Sequence, residues 1–349
     1  MDRTAILSIT SRRCRTWLSA AICGLLSAGT PAFAASDGAT AATLTLERKI
    51  PLGDVGGRID HLAVDLARRR LFVAELHNGS FSAVDVAEGK LLQRVGGLKD
   101  PQGVGYVAGT DTVYVANAGD GSVHLYRGAD LAPAGTIDLG EDADNIRVDA
   151  RTNEVAVGYG SGAIALIDAA TGARTGDISL PAHPESFQLD PDGTRIFANV
   201  PDARQVAVVD RATKRQIAAW TLPGEAANFP MAFDGGGDRL RVLVVYRKPA
   251  LLAAFDARDG AVVARIPTCI DADDVFFDAK RRRIYVSCGE GALAVIQREE
   301  GGAYREIGRI QTVPGARTSL FVPDLDRLFL AVRADRYEPA SVWVFRPAP

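Results

Sequence analysis

Between Val113 and Tyr126 the chain reads VYVANAGDGSVHLY. An apolar run, Val113 to Ala116, leads into a polar turn, Asn117 to Gly121, and then a second apolar run, Ser122 to Tyr126. Gly and Asn accept the positive φ that tight turns require, so the pattern predicts two antiparallel strands joined by a hairpin. The unit recurs. Short apolar runs, most of them ending in Asp, close at residues 65, 106, 149, 190, 234, 278 and 323, with spacings of 41 to 45 residues. Seven copies of short strands at a period in the forties predict a seven-bladed β-propeller.

Each copy reads as four strands. In the first copy they are Leu62–Asp65, Leu71–Glu75, Ser80–Val86 and Lys90–Val95. Third strands often end in Asp before a Gly- or Thr-bearing turn (Asp85, Asp168, Asp210, Asp256), where a carboxylate accepts hydrogen bonds from turn amides. The seventh copy runs out of chain after its third strand, Ser341–Phe345. A lone strand, Thr43–Leu52, precedes the first copy. It is expected to complete the seventh blade, joining the ends of the ring and removing an open edge.

The runs VYVAN at Val113–Asn117, IYVS at Ile284–Ser287 and LFVAE at Leu71–Glu75 resemble the YVTN-repeat family of seven-bladed β-propellers, including exported YncE-like proteins. The resemblance covers Ala41–Phe345 and implies architecture. For function it implies several classes: ligand binders, partner platforms, lactonases and dehydrogenase subunits. The third and fifth copies (Val155–Gly158, Leu243–Tyr246) depart from the motif and rest on the period.

The first 34 residues read as a cleaved leader. Arg12, Arg13 and Arg15 form a basic segment, Trp17–Leu26 an apolar one, and Ala32-Phe33-Ala34 a cleavage site. Ser11-Arg12-Arg13 hints at a twin-arginine signal, whereas Arg15 favours general secretion. The apolar segment is too short to span a bilayer, and no later stretch is a candidate. The expectation is a periplasmic or secreted monomer, with residues 35–349 forming one propeller domain. Without the leader the net charge falls from −3 to −6. That balance argues against a nucleic-acid platform, and the basic turns Arg68–Arg70 and Lys280–Arg283 read as solvated.

Propeller geometry brings the residues just ahead of each first strand to the mouth of the central channel. These include Arg58, Asp60 and His61; Gln102; Asp144 and Asn145; His183 and Glu185; Asn228; Asp273 and Asp274; and Arg317. They form the candidate ligand-binding set, for a small molecule or a periplasmic protein. Crowded carboxylates raise one another's pKa unless neutralised. The ring is balanced by Arg58 and Arg317, or opens to solvent, or holds a hard cation such as Ca²⁺ through Asp144, Asn145, Glu185 and Asp273. His183, Glu185 and Arg317 are the candidates for a lactonase-type hydrolase: base, orienter and oxyanion stabiliser. A subunit of a periplasmic redox enzyme is a third reading.

Cys269 and Cys288, the two cysteines beyond the leader, fall in the sixth copy, where antiparallel strands bring both to the mouth face. A disulfide fits an oxidising compartment; two free thiols are the alternative. No zinc spacing and no C-x-x-C-H haem attachment occurs. Gly158–Ala163 matches a G-x-G-x-x-A dinucleotide fingerprint literally. The following AIALID reads as a strand, however, so no helix end faces a pyrophosphate.

Overall fold

The computed structural model describes residues 43–349, so the leader read at residues 1–34 lies outside the described residues. Twenty-eight strands form seven four-stranded antiparallel sheets. In blades 1 to 6 the strands follow chain order from the channel outwards, as in blade 1: Leu62–Asp65, Arg70–Glu75, Ser80–Asp85, Lys90–Gly96. Second and third strands are buried on both faces between neighbouring blades, which is why they read as continuous apolar runs. Outer strands are more exposed, and Arg215–Trp220 alternates because one face meets solvent. The chain has the seven-bladed β-propeller fold that its period predicts.

The ring closes as expected. Leu44–Gly53 pairs antiparallel with Ala340–Pro347, Leu44 opposite Pro347 and Ile50 opposite Val342. Ile50 and Leu52 pack in one apolar cluster with Leu71 and Val73 of blade 1 and Phe329 and Val342 of blade 7. The terminal strand therefore fills the joint between the first and last blades as well as covering an edge.

Third-strand aspartates cap their turns: Asp168 Oδ1 accepts from the Thr171 amide at 2.8 Å and Asp210 Oδ1 from the Thr213 amide at 2.7 Å. On the same lower face, the first strands of five blades end in or directly before buried aspartates, Asp65, Asp149, Asp190, Asp234 and Asp278. A buried carboxylate needs a cation, so the basic turns are solvated only in part: Arg68, Arg69 and Lys280 are exposed, but Arg68 and Arg281 also answer buried aspartates. Arg68 bridges Asp65 (2.8 Å) to Asp111 of blade 2 (2.7 Å). Arg281 bridges Asp278 (2.9 Å) to Asp326 of blade 7 (2.6 Å), its side chain only 8% exposed. These arginines join adjacent blades.

Cys269 and Cys288 form a disulfide with Cα atoms 5.8 Å apart. The strand register opposes Cys288 to Ala272, so the bond ties down the segment that enters the inner strand of blade 6. No helix among the described residues is long and apolar enough to cross a membrane.

Candidate functional site

The loops entering the inner strands converge on a cavity of about 260 Å³ at the channel mouth. Arg58, Asp60, His61, Gln102, Asp144, Asn145, His183, Glu185, Asp273, Asp274 and Arg317 all line it. Asn228 does not. It is fully buried, and its amide donates to Asn199 Oδ1 (3.1 Å) and to the Gln205 carbonyl (2.9 Å), linking blades 4 and 5. In the early-starting inner strand of blade 5, Ala226–Asp234, Asn228 pairs with Tyr246, one position ahead of the mouth-lining place that Phe229 occupies. Blade 5 contributes Phe229 and Arg247 instead. Arg247 is the penultimate residue of the second strand of that blade, Arg241–Lys248, in the copy that departs from the repeat motif. Its loop opens on the mouth face, and the Arg-Lys ending of the strand was the available signal.

One side of the cavity is an arginine cluster built around Asp273. Arg317 Nε lies 2.9 Å from Asp273 Oδ2, and its Nη1 lies 2.8 Å from Asp271 Oδ2. Arg247 pairs with Asp273, donates to the Ala272 carbonyl at 2.8 Å and lies 3.6 Å over the Phe229 ring. Arg58 pairs with Asp60 at 2.8 Å and approaches Asp273 at 3.7 Å. All three guanidinium groups are thus committed to carboxylates. Burial still pushes the Asp60 carboxyl well up, against Arg58 and with help from Asp273 and Asp144. Asp274 is likewise pushed well up by burial and by Asp273, against the Ser319 amide that it accepts at 2.8 Å.

The opposite side is built from blades 3 and 4. His183 Nδ1 donates to the Gly160 carbonyl at 2.7 Å and lies 3.6 Å from Asp142; its Nε2 lies 3.9 Å from Asp144. Burial disfavours the imidazolium, but Asp144, the Gly160 carbonyl and Asp142 outweigh it and raise the pKa to about 9. His183 is therefore a fixed cation at neutral pH. A general base must be neutral, and Arg317 is occupied by Asp271 and Asp273. The proposed base, orienter and oxyanion group are present in one cavity but are not poised for those roles.

Asn145 donates to the Glu185 carbonyl and to His61 Nε2 at 3.2 Å, so its amide orientation is fixed and its Oδ1 faces elsewhere. His61 accepts that bond as a neutral ring, its pKa lowered by burial. Asp144 Oδ1 and Asn145 Oδ1 are buried with no hydrogen-bond partner, the two residues being 6% and 3% exposed. The Glu185 carboxyl makes no hydrogen bond or ion pair among the described residues. Burial and Asp144 raise its pKa to about 7. Three residues that line one cavity thus each carry an acceptor without a partner.

Among the described residues, no three His, Cys, Asp or Glu side chains gather closely enough to hold a metal ion. The Ca²⁺ set of Asp144, Asn145, Glu185 and Asp273 is not drawn together, because Asp273 is held by arginines. Sequence reasoning missed Arg147, on the inner strand of blade 3. It reaches Ser186 Oγ at 3.4 Å and lines the largely apolar channel below, a chamber of about 370 Å³.

No protein-family model and no curated protein sequence matches this chain. Among solved structures, hydrazine synthase of Kuenenia stuttgartiensis is similar, with a TM-score of 0.69 and 17% identity. The match covers 80% of this chain and 93% of that one. At that identity the likeness shows the propeller fold alone.

Proposed function

We propose that this chain is an exported, YVTN-type propeller of the YncE-like kind that binds a small polar ligand in its mouth. The observation that carries the reading is the set of three unpartnered acceptors: Asp144 Oδ1, Asn145 Oδ1 and the Glu185 carboxyl. A buried acceptor without a donor costs ~1–3 kcal/mol, so a ligand offering N–H or O–H groups gains by supplying what the protein leaves open. The arginines opposite are neutralised by Asp60, Asp271 and Asp273, which favours a donor-rich or cationic ligand over an anion. The leader motif and the Cys269–Cys288 bond support a periplasmic or secreted setting.

The test is calorimetric titration of the purified chain with small amines, amides and polyols, repeated with Glu185→Gln. Saturable binding weakened by the substitution is expected; binding indifferent to Glu185→Gln and Asn145→Ala overturns this placement. A hydrolase reading survives through Glu185, whose pKa of about 7 suits an acid–base role. Turnover in a lactone screen, abolished by Glu185→Gln, would favour it over stoichiometric binding.

A further inference from the structure

On the face opposite the mouth, a second cavity of about 450 Å³ lies between blades 5 and 6. It is framed by the loop 235–240, the turn 279–282 and the loop 299–303. Four arginines line it, Arg239, Arg241, Arg282 and Arg298, against three carboxylates, Asp238, Asp256 and Glu300. Asp238 and Glu300 are exposed, and Asp256 is held by Arg258 at 3.1 Å.

The arginines differ in their commitments. Arg298 is buried and paired with Asp234 at 2.9 Å, and Arg239 reaches Asp256 at 3.4 Å. Arg241 and Arg282 have no carboxylate within ion-pair distance among the described residues. Arg241 donates to the Gly302 carbonyl at 2.6 Å, and Arg282 donates to the Glu299 carbonyl at 2.7 Å. The Nε of Arg282 is buried with no acceptor at all. At the mouth, by contrast, Arg58, Arg247 and Arg317 each have a carboxylate within ion-pair distance, although Arg58 Nε is likewise buried without an acceptor.

The loops around these guanidinium groups carry glycine where a side chain would close the space. A Cβ on Gly237 would lie 2.1 Å from Arg298 Nη2, and one on Gly302 would lie 2.7 Å from Arg241 Nη2. The backbone can run this close to the arginines only because side chains are absent, and the cavity above them stays open.

We propose that this cavity is a binding site for a tetrahedral oxyanion, a phosphate or sulfate group, held by Arg241 and Arg282 and supported by Arg298. Planar guanidinium forks match such oxygens in pairs. An anion supplies the acceptor that Arg282 Nε lacks and the counter-charge that Arg241 and Arg282 do not find among the described residues.

The probes are inorganic phosphate and inorganic sulfate, titrated calorimetrically into the full chain, with chloride at matched ionic strength as the blank. One saturable site is expected, with affinity reduced at least about tenfold by Arg282→Gln or Arg241→Gln and unchanged by Glu185→Gln in the mouth. Circular dichroism checks each variant. Because Arg241 also supports the Gly302 carbonyl, Arg282→Gln, in a turn, decides the matter if Arg241→Gln unfolds. No saturable binding beyond the chloride blank, or binding that both folded variants leave intact, overturns the site. Either result leaves the mouth reading to its own titration.

Discussion

Replacing Glu185 by Gln should make the protein more stable at alkaline than at acidic pH, relative to the natural chain. The carboxyl titrates at about 7 in the folded state against an ordinary 4.5, with burial and Asp144 as the causes. Below pH 4.5 the group is protonated in both states and contributes nothing. As pH rises from 4.5 to 7 the unfolded chain gives up its proton while the folded chain keeps it, so stability falls; above 7 the full penalty is present. At about 1.4 kcal/mol per tenfold change in proton affinity, the penalty approaches ~3 kcal/mol. Glutamine keeps the shape and cannot ionise, so the variant escapes it. Urea unfolding of both proteins at pH 4.5 and pH 8 measures the effect as a double difference. His183, titrating at about 9, largely cancels between the two proteins in that window. A stability difference that stays constant between the two pH values refutes the reasoning, because it places the Glu185 carboxyl in solvent or against an unseen donor. A ligand that donates to this carboxyl should lower its pKa and release a proton on binding, visible as a buffer-dependent heat.

Three further outcomes follow from the same geometry. Nitrogen-15 spectra should show His183 as an imidazolium at pH 7.5, since its folded pKa of about 9 makes its contribution complete below 6.5 and lost as pH rises through 9; a neutral ring at pH 7.5 removes the case against a His183 base. Deleting residues 43–52 exposes the edge of Ala340–Pro347 and uncovers the joint filled by Ile50 and Leu52, each worth ~1.5–3 kcal/mol of burial. Aggregation on size-exclusion chromatography is expected, and an unchanged monomer with an unchanged melting point refutes ring closure. Asp234→Asn strands the buried Arg298 cation and should cost ~3–5 kcal/mol in urea unfolding; a loss under ~1 kcal/mol would mean the pair is solvated.

The mouth was legible in part because propeller topology converts position in the repeat into position in space. Asp60, Asp144, Glu185 and Asp273 hold the same position in their copies, ahead of or at the start of an inner strand, so the period alone carries them to one cavity. Asn228 stands one residue further upstream, where the chain is paired into the sheet, and Phe229 holds the equivalent place at the cavity. Arg247 went unseen because it lies near the end of a second strand that lacks the repeat motif. The roles assigned to His183 and Arg317 changed because protonation and pairing depend on neighbours from other blades. Asp142 and Asp144 hold the His183 proton, and Asp271 and Asp273 occupy the Arg317 fork.

The sequence by itself determined the strands, their number per copy, the sevenfold period and the closure by the first strand. Those properties follow from backbone preference and from apolar periodicity within a few tens of residues. Only the tertiary structure decided which charges are answered. Arg298 meets Asp234, and Arg281 meets Asp326, across blade joints with long stretches of chain between them. Charge pairing depends on distances of a few ångströms between elements that the local pattern does not relate. The acceptors left open at the mouth and the donors left open on the opposite face emerge only once the ring has closed.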